Sequence, residues 1–315
     1  MAVKNNNIKY FILIIFVIFF LIFYLEINYS IDYSIQNQNF EKENDSKNLI
    51  DNSVKALPTE QFFQADEFYQ AILPNKEKNN NFSKKIYGAI IPHHLLASFM
   101  IADLFSVLQE QGPDLIILVG PNHFEKGDSK VISAEEDWET PFGILESAKD
   151  IVQNLKKAKL IETSGSILTD EHSISGIVPF IKYYLPQTKI LPLIFSIETN
   201  EQDIEKLNYI LEKFFNPNEA VVIASVDFSH YLMKEQAGEK DKITIKALED
   251  FNYMPIFYMN NDYLDSPASI ICLLKIMENF KAKNLKILNH TNSGEILQEK
   301  YQPTTSYFEI IFYKN

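Results

Sequence analysis

The chain has 315 residues, with 42 acidic side chains against 29 basic ones and a formal net charge of −13. Every basic side chain is lysine, so there is no guanidinium fork for phosphate or guanine, and an acidic surface repels a polyanion; nucleic acid is not expected as a partner. The single cysteine, Cys272, leaves no internal disulfide framework and no cysteine-cluster zinc site.

Lys4 and Lys9 precede an uncharged run from Tyr10 to Leu25, YFILIIFVIFFLIFYL, and Glu26 follows it. At 1.5 Å per residue the run spans about 24 Å, short of a ~30 Å hydrocarbon core, and Ile8, Lys9 and Ile27 lengthen it. Residues 1–27 are predicted to form a single-pass transmembrane signal anchor. With lysines ahead of the run and an acid behind it, the domain that follows is expected outside the cytoplasm. A cleaved signal peptide is the alternative, but no small-x-small cleavage site follows the run. Residues 28–57, which include QNQNFEKENDSKN, have too little apolar content to fold alone and read as a disordered polar tether.

Residues 58–315 are expected to form one α/β domain, since no linker divides residues 85 to 315. Glu60–Leu73 reads as a short amphipathic helix packed on it, and Pro74–Lys85 as a surface loop. Beyond these, short apolar runs rich in Ile and Val predict strands at Ile86–Pro92, Asp114–Pro121, Lys189–Ser196, Ala220–Phe228, Leu285–Asn289 and Ser306–Tyr313. Helix-period segments lie between them at Leu95–Gln111, Ser147–Ala158, Ile174–Tyr184, Gln202–Phe215, Lys234–Phe251 and Pro267–Phe280. Continuous apolar runs alternating with helices predict strands buried on both faces, hence a largely parallel or mixed central sheet flanked by helices. No GxGxxG and no P-loop is present, which sets aside nucleotide binding through those motifs.

Five of the six histidines stand at predicted strand ends or on loops beside them: His93 and His94 in IIPHHL, His123 in LVGPNH, His172 in TDEHS and His230 in ASVDFSH. In α/β folds the crevice at the carboxyl ends of the strands is where distant side chains meet around a ligand. The strands before His93 and His123 are successive, so in a parallel sheet they would be neighbours, and their imidazoles are natural ligands for a first-row transition metal. Asp227 is close enough in sequence to orient His230. Glu171 and His172 form a second acid and imidazole pair, although Asp170 and Glu171 also suit the start of a helix. His290, after LKILN, reads as ordinary.

The series IIPHH, LVGPNH, DWETPFG, TDEHSI with PF following, and SVDFSHY resembles the Memo family, including the proteins called AmmeMemoRadiSam system protein B. The resemblance covers roughly residues 59 to 313. It implies a fold similar to the class III extradiol ring-cleaving dioxygenases, whose non-haem iron is held by two histidines and one carboxylate. By position, His93 and His123 match the family's first two metal-binding histidines, and His230 its third active-site histidine. Departures are visible. The family's Cys-Gly pair at the end of the metal site is Asp265–Ser266 here, while Cys272 falls inside the following helix and reads as core. PHAGY is replaced by PHHLLAS, which leaves His94 exposed or behind the ligands, and the early aromatic motif survives only as Phe68 and Tyr69 in ADEFY.

With this alignment His93, His123 and Asp265 form a two-histidine, one-carboxylate set for a divalent transition metal, iron foremost, with copper and zinc as alternatives. Asp265 as the N-cap of the Pro267 helix is the competing reading, because DSP has the signature of a helix start. His230, held by Asp227, is expected as general acid or base, with His172 and Glu171 lining the pocket or shuttling a proton. The function implied is a metal-dependent, dioxygenase-like oxidoreductase acting on a small molecule. The alternative is a noncatalytic metal-binding or peptide-interaction domain in which His230 closes the coordination shell. The family's naming implies AMMECR-type and radical SAM proteins as companions.

Overall fold

The computed structural model describes residues 56–73, 82–299 and 301–315. In chain order the strands are β1 (Leu57–Pro58), β2 (Ile86–Ile91), β3 (Leu115–Pro121), β4 (Val131–Ser133), β5 (Trp138–Thr140), β6 (Gly143–Leu145), β7 (Glu162–Thr163), β8 (Lys189–Phe195), β9 (Ala220–Ser225), β10 (Asn284–Asn292) and β11 (Ser306–Tyr313). Eight of them form one mixed sheet in the order β10-β11-β2-β9-β3-β8-β4-β7. Its centre, β2, β9, β3 and β8, is parallel throughout, so those four carboxyl ends open onto one edge. β11 runs antiparallel to β2 and β10 antiparallel to β11.

The apolar runs are continuous because the sheet is covered on both faces. In the parallel centre, Ile117, Val119, Leu191, Leu193, Val222 and Ala224 face the layer that includes the Pro267–Asn279 helix. Their neighbours Ile116, Leu118, Ile190, Ile194, Val221 and Ile223 face the layer that includes the Ser98–Gln111 and Val178–Tyr184 helices. The mixed α/β class, with a central sheet between helical layers, is thus as the sequence implies.

Three local expectations change. First, β2 and β3 are not neighbours, because β9 inserts between them, pairing Ile90 with Ala224 on one side and Val119 with Ala224 on the other. Second, the predicted Ile174–Tyr184 helix is broken into His172–Ser175 and Val178–Tyr184, with Pro179 in the first turn of the second. Third, DWETPFG forms the β5–β6 hairpin, with Gly143 at φ 105 supplying the left-handed residue that the turn requires; β1 adds in parallel to β5 to complete a small second sheet.

The expectation of a single-pass membrane protein is corrected. No helix among the described residues is long and apolar enough to cross a membrane. The run from Tyr10 to Leu25 and the tether of residues 28–55 lie outside the described residues.

Gly120 shows how closely this edge is packed. A Cβ built there would lie 2.7 Å from Ser173 Oγ, and that hydroxyl donates to the Pro121 carbonyl at 3.1 Å. The absent side chain is what lets the segment carrying Glu171 and His172 lie against the end of β3. Gly120→Ala is expected to destabilise the protein by about 1–3 kcal/mol through overpacking. A urea midpoint equal to that of the wild type would show that Ser173 moves aside freely.

Candidate metal centre at the sheet edge

His93 follows β2 after Pro92, His123 follows β3, and His230 ends the extended segment that continues from β9. The insertion of β9 therefore sets the three on three adjacent strand ends. Asp265 arrives from the opposite direction, on a segment stitched to that extension: Asp265 N–H donates to the Asp227 carbonyl at 3.1 Å, and His230 N–H to the Asn261 carbonyl at 2.8 Å.

Each ligand candidate has its tautomer fixed from behind. His93 is 2 % exposed, and its Nδ1 lies 3.1 Å from the Ser225 carbonyl. A carbonyl only accepts, so Nδ1 carries the proton and Nε2 is turned inward. His123 Nδ1 donates to Glu171 Oε1 at 2.7 Å, and its backbone N–H to Oε2 at 2.9 Å, which turns its Nε2 inward as well. Both nitrogens face one atom, Asp265 Oδ2, at 3.1 Å from His93 and 3.7 Å from His123; His230 Nε2 is 3.9 Å from the same oxygen.

The competing reading of Asp265 fails on geometry. The N-cap of the Pro267–Asn279 helix is Ser266, whose hydroxyl accepts from Ser269 N–H, while Asp265 Oδ2 faces the histidines and accepts the Asp227 backbone N–H at 3.3 Å. Glu171 does one of the two jobs that its position suggested, its side chain capping the His172–Ser175 helix by accepting from Ser173 N–H, but its imidazole partner is His123 and not the expected His172. Its approach to His172 Nδ1 is the looser one, at 3.5 Å.

The expected pairing of Asp227 with His230 is not what the fold makes. Asp227 accepts the His93 backbone N–H at 3.1 Å and lies 3.7 Å from His93 Nε2. His230 Nδ1 is buried without a hydrogen-bond partner. The physical reason is that β9 adjoins β2, so the residue two beyond the strand faces the neighbouring strand's end, not its own successor. His172 stacks on His123, with ring centroids 4.2 Å apart, and His94 is exposed and stacked on Tyr307 at 5.7 Å.

Among the described residues, two sets of potential donor atoms lie within 4.8 Å of one another: His93, His123 and His172, and His93, Asp227 and Asp265. Beside them a shallow, open cleft is lined mainly by Phe62, Phe63, Phe68, Leu95, Pro179 and Phe180, and the Phe62 ring is 6.1 Å from that of His172. Sequence reasoning had not found the Ser225 carbonyl, which leaves no residue-type signature, or this aromatic wall from the residue 60–70 segment.

Burial works against charge on both His93 and His123, yet the carboxylates outweigh it. Asp227 and Asp265 push His93 up to about 8, and Asp265 with Glu171 pushes His123 up to about 10. In the carboxylates, too, burial opposes the charge and the imidazoles prevail, holding Glu171 and Asp265 below the usual range. His172, half-buried beside the other two imidazoles, is pushed down to about 4 by that burial and by their charge, and stays neutral.

The raised imidazoles stabilise metal-free protein fully below 6.5 and cease to do so as pH rises through about 8 and then about 10. The depressed carboxylates contribute fully above their ordinary 3.8 to 4.5 and cease to contribute toward acid. His172, lowered to about 4, costs stability as pH falls below 6.5, so chelator-treated protein should resist urea best near pH 6.5 and lose resistance on either side. A midpoint that climbs from pH 6.5 to 9 would contradict the assignment.

A profile of the family described as Memo-like protein matches residues 60–311. The chain belongs to the Memo family. Curated relatives carry the same family designation. A MEMO1 family protein of Sulfurisphaera tokodaii is 28% identical over 237 residues, covering 72% of this chain and 81% of its own. Another, from Pyrobaculum aerophilum, is 27% identical over 237 residues, covering 72% and 83%. One from Methanococcus vannielii is 28% identical over 244 residues, covering 73% and 83%. Among solved structures, the uncharacterized protein JW3007 from Escherichia coli K12 aligns with a TM-score of 0.46 at 11% identity, over 71% of this chain and 98% of that one.

Cys272 lies in the core, as its place inside the predicted helix implied. Cys272 is fully buried in the Pro267–Asn279 helix, its Sγ donates to Asn208 Oδ1 at 3.2 Å, and burial pushes its thiol up to about 12. A thiol so held is inert as a ligand.

Proposed function

We propose that this Memo-family chain is a metal-dependent oxidoreductase in which His93, His123 and Asp265 hold a divalent transition metal and His230 transfers protons. The observation that carries the reading is the convergence of three imidazole Nε2 atoms on one buried carboxylate oxygen. Its companion, Asp265 Oδ1, is buried with no hydrogen-bond partner, which suits a carboxylate meant to face a cation. The donor set fits the group that the fold implies: two neutral nitrogens and one carboxylate on one side are the arrangement that leaves open positions on Fe(II). Bound there, the ion supplies Lewis acidity and one-electron chemistry.

The chain's own residues do the rest. Ser225 and Glu171 keep both Nε2 lone pairs aimed inward, and Asp227 fixes the His93 backbone. His230, with Nδ1 unpartnered and Nε2 3.9 Å from Asp265 Oδ2, gives or takes a proton at Nε2 on the side of the substrate. The Phe62–Phe180 cleft adjoins this space and suits the apolar part of a small molecule.

Elemental mass spectrometry of the purified full chain tests the ligand set, and oxygen uptake with a catechol-like substrate tests the chemistry. His230→Ala is expected to keep its metal while losing turnover by about 10²–10⁴-fold. Turnover retained in that variant would remove His230 as acid or base. The second reading is a closed, noncatalytic site, favoured by the stacking of His172 on His123 and by His230 lying within reach. It predicts that His172→Ala or His230→Ala lowers metal content as much as a change at His93 does.

A further inference from the structure

The aim of His230 needs an explanation, because its ring has no hydrogen bond of its own at Nδ1. The residue after it, Tyr231, sits at φ 58, a left-handed conformation costly for a bulky side chain that persists only where the surroundings impose it. Tyr231 itself is 77% exposed, so its ring is not what imposes it. The constraint lies in the two residues before His230.

Ser229 is fully buried and donates its hydroxyl to Asp241 Oδ1 at 2.9 Å, with Ser306 Oγ at 3.0 Å. Asp241, 3% exposed on the Lys234–Glu249 helix, turns its other oxygen to His290 Nε2 at 3.4 Å. His290 stands opposite Phe308 in the β10–β11 ladder and stacks on it, with centroids 3.9 Å apart and planes 10° from parallel. Phe308 in turn packs on Phe228 at 4.5 Å. One side chain, His290, thus grips the segment twice: through Asp241 to Ser229, and through Phe308 to Phe228.

We propose that His290 and Asp241 are positioning residues of the metal centre, forming a cage around Phe228–Ser229 that sets the direction of the His230 imidazole. The significance of that direction rests on the functional reading above, whereas the cage itself does not. A buried carboxylate joined to both a serine and an imidazole is a costly feature in an α/β core, and helix-to-sheet packing alone does not require it. Placed one residue from His230, it carries the edge strand β10 into the geometry of a site three strands away.

The test uses the full chain without added metal and reads the rate at which diethyl pyrocarbonate modifies each histidine, by peptide mass spectrometry. Asp241→Ala and His290→Ala are expected to speed modification of His230 at least about fivefold, the factor that a net hydrogen bond is worth, while His93, His123 and His172 keep their wild-type rates. Asp241→Asn, which still accepts from Ser229, should return the His230 rate to within about twofold of wild type. His290→Phe, which keeps the stack and loses the nitrogen, should fall between. An unchanged His230 rate in both alanine variants overturns the proposal, and so does a common rise at all four histidines, which would mean general loosening. Because no ion or substrate enters the measurement, absence of bound metal in the wild type would overturn the functional reading and leave the cage standing.

Discussion

Asp265→Ala is expected to leave purified protein with at least ~10–100-fold less bound metal than wild type, since removing even a partner behind a ligand costs that much. The effect should exceed that of any other single carboxylate. Asp265 Oδ2 is the atom that His93, His123 and His230 share. Asp227, the other acid nearby, is engaged by the His93 backbone N–H and substitutes poorly. Removing Asp265 also leaves two imidazoles without the charge that holds them protonated in metal-free protein, so their affinity for protons falls. Metal content measured at pH 7 in Asp265→Ala and Asp265→Asn checks both. Metal content unchanged in both variants would eliminate the carboxylate as a ligand and leave His93, His123 and His172 as the donor set.

Glu171→Ala should be the most destabilising change at the centre, at about 3–5 kcal/mol, the scale of breaking a buried charged pair. The carboxylate is 1% exposed and takes three donors at once: His123 Nδ1, His123 N–H and Ser173 N–H. Alanine would leave all three facing a void, release the His123 tautomer and uncap the His172–Ser175 helix. Chemical denaturation of metal-free protein measures the loss. Glu171→Gln separates the parts, for an amide oxygen in the place of Oε1 still accepts from His123 Nδ1 and Ser173 N–H while its NH₂ opposes the His123 backbone N–H; its cost should be about half. A cost below ~1 kcal/mol for Glu171→Ala would mean that water replaces the carboxylate and that the pair with His123 is incidental.

The sequence carried the fold class because the covered sheet leaves a plain trace, runs of Ile and Val too long to alternate. It placed His93 and His123 at strand ends because Pro92, Gly120 and Pro121 punctuate those ends, whereas His230 has no such mark and was placed only by the end of the apolar run AVVIASVDF. Strand order was not legible: nothing in IIPHH or SVDFSH states that β9 inserts between β2 and β3, since local pattern does not encode which parallel strand pairs with which. The misassigned partner of Asp227 follows from that, sequence proximity to His230 having stood in for an unknown neighbour. Short strands such as β4 and β7, two or three residues each, carry too few side chains to show a period. His290 looked ordinary because a positioning role depends on Phe308 and Asp241, whose proximity only the ladder register and the helix docking reveal.

The interposed strand also sets when the centre can exist. His93 and Asp227 are 134 residues apart in sequence, and β9, which begins at Ala220, must enter between two strands already made. During synthesis, β2 and β3 emerge first with a gap between them that only a much later segment fills, and closing so long a loop precedes any gain from pairing. A nascent chain ending before Ala220 has His93 and His123 but neither the Ser225 carbonyl that turns His93 inward nor Asp265. Completion of the centre thus reports completion of the sheet, and an early ion meets two loosely held imidazoles in place of a finished cradle.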